Sequence, residues 1–443
     1  MVDQNKTLTS RQKEILSLLR KGLTNVEICK ALNISANTVK VHLANIYRIL
    51  EVTNRTEAVS MDLEGRITNP VGNSDILLAI VGGSALDAFP LAKSLFFSIE
   101  ESLHRYHLFC IRDREESDRV PTYRIQVSVA QNGGETLFLK LYKGDSSEVL
   151  WSASQKVMPN DDIPLLAAQN AIRLFRHMMI SAADVFEKDA KASPQWWYAS
   201  CFAQLKTESI SGESFMKASN ALDPYTREKD YHVYAACSLV LMYYVAINES
   251  WVDAETFVPK IGDLACMGMR KNPYSAYAHF MMAVYNIIVG NKSDATAYFL
   301  QILDALPQDC RSRRMLAQIY MLTGKENEAL QQLDESERYI PESAGQPNLS
   351  AQRAFIYFMQ GKYDKAEEIS SQVLLFHPET PLTRLILIAC NNKNGKLKES
   401  RENVKKFFKY HPNFKKSDLE KLLTGIEPSK KAVILESVSN VFQ

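Results

Sequence analysis

Residues 8–58 read LTSRQKEILSLLRKGLTNVEICKALNISANTVKVHLANIYRILEVTNRTEA, and this stretch decides the fold at the N-terminal end. Three helix starts follow one another in it. Thr9, Thr24 and Ser35 are hydroxyl residues placed to accept the backbone N–H three positions on, and Gln12 and Glu27 complete a capping box at the first two. Leu23 with Ile28, and Ile34 with Val39, have the spacing of hydrophobic staples across a first turn. After the third start Val39, Leu43, Ile46 and Leu50 recur at spacings of four, three and four, the pattern of one buried helical stripe. Asn37, Lys40, Val41, Ala44, Asn45 and Arg48 fall on the other faces. An earlier helix of Glu27, Ile28, Ala31 and Leu32 closes on the turn Asn33-Ile34-Ser35. Short helices with tight joints are expected, arranged as a helix-turn-helix whose later helix suits a DNA major groove.

The segment resembles the four-helix DNA-binding domain of the LuxR (GerE-like) regulators. The resemblance is carried by Leu8, Thr9, Arg11, Glu14, Gly22, Leu23, Glu27, Ile28, Ile34, Ser35, Thr38, Val39, Lys40, His42, Asn45, Ile46, Leu50, Val52, Arg55 and Glu57. It implies that Lys40 contacts bases or phosphates and that Thr38 and Arg11 lie near the DNA backbone. The residue types agree, because a cation bonds phosphate or guanine and a hydroxyl at a helix start suits phosphate. Val41 and Ala44 suit a thymine methyl. The expected DNA-binding set is Arg11, Asn37, Thr38, Lys40, Val41, Ala44, Asn45 and Arg48. Ile49 and Glu51 depart from the family, which usually has Lys and Gly there; the first change removes a phosphate contact, and the second fits a left-handed helix end poorly.

At 443 residues the chain is long enough for about three domains. Net charge is only +1, so no global basic field draws it to nucleic acid. Residues 1–69 hold ten Lys and Arg against seven Asp and Glu, a local excess of +3. Affinity for DNA must then come from a few placed contacts, doubled by a homodimer. The apolar residues Ala58, Val59, Met61 and Leu63 of an expected fourth helix suit that dimer. Cys29, Cys110, Cys201, Cys237, Cys266, Cys310 and Cys390 form no CxxC pair, the usage of reduced thiols in a cytoplasm. Polar residues 1–14 predict no signal peptide. The apolar stretch 235–247 is shorter than the roughly 20 residues that cross a bilayer. A soluble, cytoplasmic protein with no membrane contact is expected.

After a turn-rich linker, Glu64–Ser74, the pattern changes. Strands are expected at 76–81, 123–130, 136–142 and 148–157, with helices at 89–106 and 164–186. Gln131-Asn132-Gly133-Gly134 marks a hairpin. This layout resembles the α/β segment that precedes helical repeats in some bacterial transcriptional activators and cyclase-like signalling proteins, through Tyr123-Arg124-Ile125-Gln126-Val127-Ser128-Val129 and Leu150-Trp151. Gly82-Gly83 lacks the Lys-Ser/Thr of a phosphate loop and reads as a tight turn. His104, His107 and Cys110 straddle a helix-to-strand junction and read as structural rather than metal-binding. Neither a cofactor site nor a catalytic pair stands out, and no enzyme activity is expected.

From about residue 190 the chain repeats. Pro273, Pro307, Pro341, Pro378 and Pro412 are spaced by 34, 34, 37 and 34, and Gly290, Gly324, Gly361 and Gly395 each precede a proline by 17. Ala295, Ala329, Ala366 and Ser400 follow their glycines by five, and Ala283, Ala317 and Ala354 hold the small position before. This period resembles the tetratricopeptide (TPR) repeat, with Tyr320 and Tyr357 at its aromatic position. Two looser units are expected at 194–224 and 230–273, and the tail from Ser417 reads as one or two capping helices. Trp196, Trp197 and Tyr198 read as core or docking surface rather than groove aromatics.

The expected architecture is multidomain and mainly α: a helix-turn-helix domain over 1–68, an α/β domain over 74–186 and a TPR solenoid with capping helices over 190–443. The expected function is that of a bacterial transcriptional regulator whose repeat groove senses or recruits a protein or peptide, or mediates self-association. The rival is a TPR adaptor with a vestigial DNA-binding head.

Overall fold

The computed structural model describes residues 10–20, 25–32, 34, 39, 42–43, 46–47, 76–113, 120–131, 133–206, 212–248, 252–273, 275–340, 347–376, 378, 380–423 and 428–441. They divide into two compact units, Met1–Pro307 and Gln308–Gln443. The chain is mainly helical with one small sheet.

That sheet lies in the first unit and has five strands: β1 (Leu77–Val81), β2 (Cys110–Asp113), β3 (Tyr123–Gln131), β4 (Glu135–Lys143) and β5 (Val149–Val157). Their order is β2-β1-β3-β4-β5. β3, β4 and β5 form the expected antiparallel meander, while β1 pairs in parallel with both β2 and β3. The junction expected at His104–Cys110 is where β2 begins, but four residues are too few to display a period of two, so no bounds for it could be read. Alternation sets the two faces of the sheet: Tyr123, Ile125, Val127, Leu137, Leu139 and Leu141 are buried, and Gln126, Ser128 and Lys140 are exposed. Helices α3 (Pro90–His104) and α4 (Ile163–Lys188) pack on one another and on the sheet.

Gly82-Gly83 is the tight turn expected. Gly82 has φ 87°, and a Cβ there would stand 2.4 Å from the carbonyl oxygen of Val127, so backbone packing against β3 explains the glycine. His104 ends α3, His107 lies in the turn beyond it and Cys110 opens β2.

One apolar core runs from the sheet into the repeats. Trp197, on α5 (Gln195–Lys206), is fully buried, and its indole N–H donates to the Tyr123 hydroxyl at 3.2 Å. That hydroxyl donates onward to the Met178 carbonyl at 3.0 Å. Rings of Phe109 and Tyr234 each lie 5.9 Å from the Trp197 ring. Trp196 and Trp197 therefore belong to the core, as their sequence context suggested.

Helical hairpins follow. In the first unit they are α5 with α6 (Gly212–Leu222), α7 (Val233–Asn248) with α8 (Ala254–Lys271), and α9 (Ala276–Ile288) with α10 (Lys292–Ala305). In the second unit they are α11 (Cys310–Leu322) with α12 (Glu326–Tyr339), α13 (Pro347–Met359) with α14 (Tyr363–Phe376), and α15 (Pro381–Lys393) with α16 (Leu397–Tyr410). Two short helices close that unit, α17 (Lys416–Leu422) and α18 (Pro428–Ser437).

The period of 34 has a local cause. Gly290, Gly324, Gly361 and Gly395 have φ of 84°, 75°, 73° and 72°, the left-handed end of each first helix. The next N–H reaches back to a carbonyl five residues earlier: Asn291 to Asn286, Lys325 to Tyr320, Lys362 to Tyr357 and Lys396 to Asn391, at 2.8–2.9 Å. Each glycine's own N–H reaches back three residues, which completes a Schellman closure. Ala295, Ala329, Ala366 and Ser400 are fully buried where the two helices of a hairpin cross, so small side chains set the close approach. These are tetratricopeptide-like hairpins.

Candidate nucleic-acid interface

The head is built on three apolar stripes. Ile15, Leu16 and Leu19 from α1 (Ser10–Arg20), Ile28 from α2 (Asn25–Leu32), and Val39, Leu43 and Ile46 from the following helical residues form one buried cluster. Leu18, Cys29, Leu32, Ile34 and Tyr47 pack against it, partly buried. The stripe read from the spacing of Val39, Leu43 and Ile46 is thus the inner face of that segment. The joint between the second and third segments closes as the Ile34 N–H donates to the Cys29 carbonyl at 3.1 Å.

Arg11 has a defined place within this core. Its guanidinium donates to the Leu32 carbonyl at 2.8 Å and pairs with Glu14 at 2.6 Å. Leu32 ends α2, so Arg11 satisfies a helix-end carbonyl and ties α1 to α2. Nothing in the spacing of Arg11 announced this bond, since its partner is a backbone atom 21 residues away. Its side chain remains 26% exposed. His42 is half-buried; burial first, and then the positive charge of Arg11, hold its pKa down to about 4. The imidazole is therefore neutral near pH 7.

Of the other expected contact residues, Asn37, Thr38, Lys40, Val41, Ala44, Asn45 and Arg48 lie outside the described residues. So do Leu50 and the expected dimer residues Ala58, Val59, Met61 and Leu63. Among the described residues, no group of three or more His, Cys, Asp and Glu side chains is placed to hold a metal ion, and His104, His107 and Cys110 do not converge. No helix among them is long and apolar enough to cross a membrane.

Residues 6–62 match the family model described as bacterial regulatory proteins, luxR family. The head is a LuxR-type helix-turn-helix. Similar sequences include the CsgBAC operon transcriptional regulatory protein of Escherichia coli (strain K12), 57% identical over 53 residues, 12% of this chain and 24% of that protein. The response regulator protein VraR of Staphylococcus aureus (strain NCTC 8325 / PS 47) is 52% identical over 52 residues, 12% of this chain and 25% of its own. The monoamine regulon transcriptional regulator of Klebsiella aerogenes is 49% identical over 53 residues, 12% of this chain and 23% of its own. The chain thus spans about a quarter of the length of each relative, all of it in the LuxR-type head. Among solved structures, the crystal structure of the APC/C hetero-tetramer Cut9-Hcn1 is similar with a TM-score of 0.36 and 12% identity, over 64% of each chain.

Proposed function

We propose that this chain is a cytoplasmic bacterial transcriptional regulator that binds double-stranded DNA as a homodimer through its LuxR-type head. The observation that carries this reading is the buried line Val39-Leu43-Ile46 in a segment that matches the luxR family. With that stripe turned inward, the helical period assigns Lys40, Val41, Ala44, Asn45 and Arg48 to the remaining faces, and Asn37 and Thr38 to the helix start. Lys40 and Arg48 offer cations to phosphate or guanine, the asparagines offer amides to adenine or phosphate, and Val41 and Ala44 meet thymine methyls. Arg11 holds α1 to α2 beneath that helix-turn-helix. The hairpin array receives a protein or peptide partner, and the α/β domain, sharing a core with the first hairpins, couples the two.

Genome-wide immunoprecipitation of the bound DNA supplies the operator, and a mobility-shift titration on it tests the docking. Lys40→Ala is expected to weaken binding about tenfold, roughly 1.4 kcal/mol, while the thermal melt stays unchanged. Unchanged affinity would remove Lys40 from the interface. A wild-type chain with no sequence-selective footprint would favour the adaptor reading instead.

A further inference from the structure

Helix α18 is more than an end cap. Lys430 at its start hydrogen-bonds Glu326, which opens α12, with two hairpins between them and 104 residues of sequence. The Lys430 ammonium stands beside the turn at Gly324. At the other end, the Asn392 side-chain amide of α15 donates to the Ser437 carbonyl at 2.7 Å. Ile434 and Val438 are fully buried and Val441, just beyond, is buried, and they join one apolar cluster with Phe355 and Phe358 of α13, Leu385, Ile386 and Ala389 of α15, Phe407 of α16, and Leu419 and Leu423 at α17. Met321 of α11 packs against the same cluster.

The cover shows in α15. Every residue from Thr383 to Asn391 is buried, although a helix that packs only on its hairpin partner and its neighbours keeps one stripe open. The corresponding helix α11 leaves Arg311, Arg313, Arg314, Met315 and Gln318 partly exposed. Helix α18 packs on α15, the first helix of a hairpin. Lys430 and Ile434 are four apart on one face of α18, and Val438 and Val441 continue the buried line in the turn and the short 3-10 helix beyond it, while Val433 on another face of α18 stays exposed. A ten-residue helix is too short to hold itself together in water, so α18 depends on the surface beneath it.

We propose that the face formed by α13 and α15, with Glu326 at the start of α12, is a binding site for an amphipathic helix, and that α18 is its built-in occupant. The external ligand is a protein segment, helical at its start, that bears a lysine followed at four, eight and eleven residues by branched aliphatic side chains. It takes the Glu326 carboxylate and the Phe355–Phe358–Ile386–Ala389 surface when α18 lifts off. The inference rests on the reading of the array as a partner-recruiting module and names the chemistry of that partner.

Two measurements on the full-length chain test it, neither of which involves DNA, so its failure is distinct from failure of the DNA-binding reading. In native-state hydrogen exchange, amides 431–438 are expected to exchange at least tenfold faster than amides 385–390, through local opening. Lys430→Gln is expected to speed the first set about threefold or more and leave the second unchanged. Exchange of both sets at one common rate would overturn the proposal, because α18 would then open only with the whole unit. In the second measurement, a fluorescent synthetic peptide of residues 426–443 is titrated against the wild-type chain and against I434D/V438D. The variant, with its own helix undocked, is expected to bind the peptide at least tenfold more tightly than the wild type. A folded variant that binds no better overturns the proposal; should the variant fail to fold, the hydrogen-exchange result decides.

Discussion

In the LuxR-type head one short segment carries both the core and the proposed site: Val39, Leu43 and Ile46 lie in the core, and the positions between them in sequence are those proposed to meet DNA. In the unit from Gln308 to Gln443 the two purposes are separated. There the face proposed as a site is drawn from α12, α13 and α15, and the segment over it, α18, is distant from them in sequence. The difference shows when a sequence betrays a site. A period of three and four reports a face of one helix, whereas a face made of three helices leaves no period of its own.

The largest effect that sharpens this contrast is expected at adjacent residues. Phe358 is buried in the cluster that α18 completes, and Tyr357 is only partly buried, with the ammonium groups of Lys362 and Lys365 each 5.7 Å from its ring. Phe358→Ala is expected to cost about 3–5 kcal/mol in urea denaturation of the full chain. Tyr357→Ala should cost well under half of that. Equal losses would mean that the assembled face has no more cover than the hairpin's flank, and the contrast with the head would fail.

The legible parts of this chain share one property: their cause is local. The glycine-proline period could be read because each Schellman closure joins atoms five residues apart, and the β3–β4 hairpin because Gly133 and Gly134, with φ of 65° and 142°, sit inside the turn itself. The head's stripe could be read for the same reason. Contacts made across sequence distance could not. Arg11 bonds a backbone carbonyl, Lys430 bonds a carboxylate 104 residues away, and β2 exists because β1 offers it a parallel edge. A capping role for the tail could be guessed from its position, while the path of α18 back to Glu326 follows from no pattern within Pro428–Ser437.

Arg11 offers a way to break the comparison from the head's side. The family resemblance gives it a role near the DNA backbone; the geometry gives it the Leu32 carbonyl and Glu14. Arg11→Ala leaves that carbonyl without its charged donor and is expected to destabilise the head by about 1–3 kcal/mol. Measured with head melting and DNA affinity side by side, the loss of affinity should be recovered at a temperature where the variant is folded. Lys40→Ala should show the reverse, with affinity lost and the melt kept. If Arg11→Ala weakens binding as strongly in the cold as near its melt, the guanidinium meets DNA directly and the separation of core from contact residues is less clean.

The smallest effect comes from His42, which flanks the core stripe. Burial and Arg11 hold its pKa at about 4, against an ordinary value of 6.5. As pH falls below 6.5 the unfolded chain takes up a proton that the folded head refuses, so the head loses stability progressively from 6.5 down to about 4 and no further from this group. A lowering of the head's melting temperature of about 5 °C across that window is expected. His42→Gln should flatten this slope without shifting the melt at pH 7.5 by more than a degree or two. A slope unchanged by His42→Gln would place the titrating group elsewhere, and a rise in stability on acidification would mean that the imidazole gains a carboxylate partner instead of standing against Arg11. Either result would put a different charge beside the buried line Val39-Leu43-Ile46, and with it change which side of that segment stays free for the proposed DNA contact.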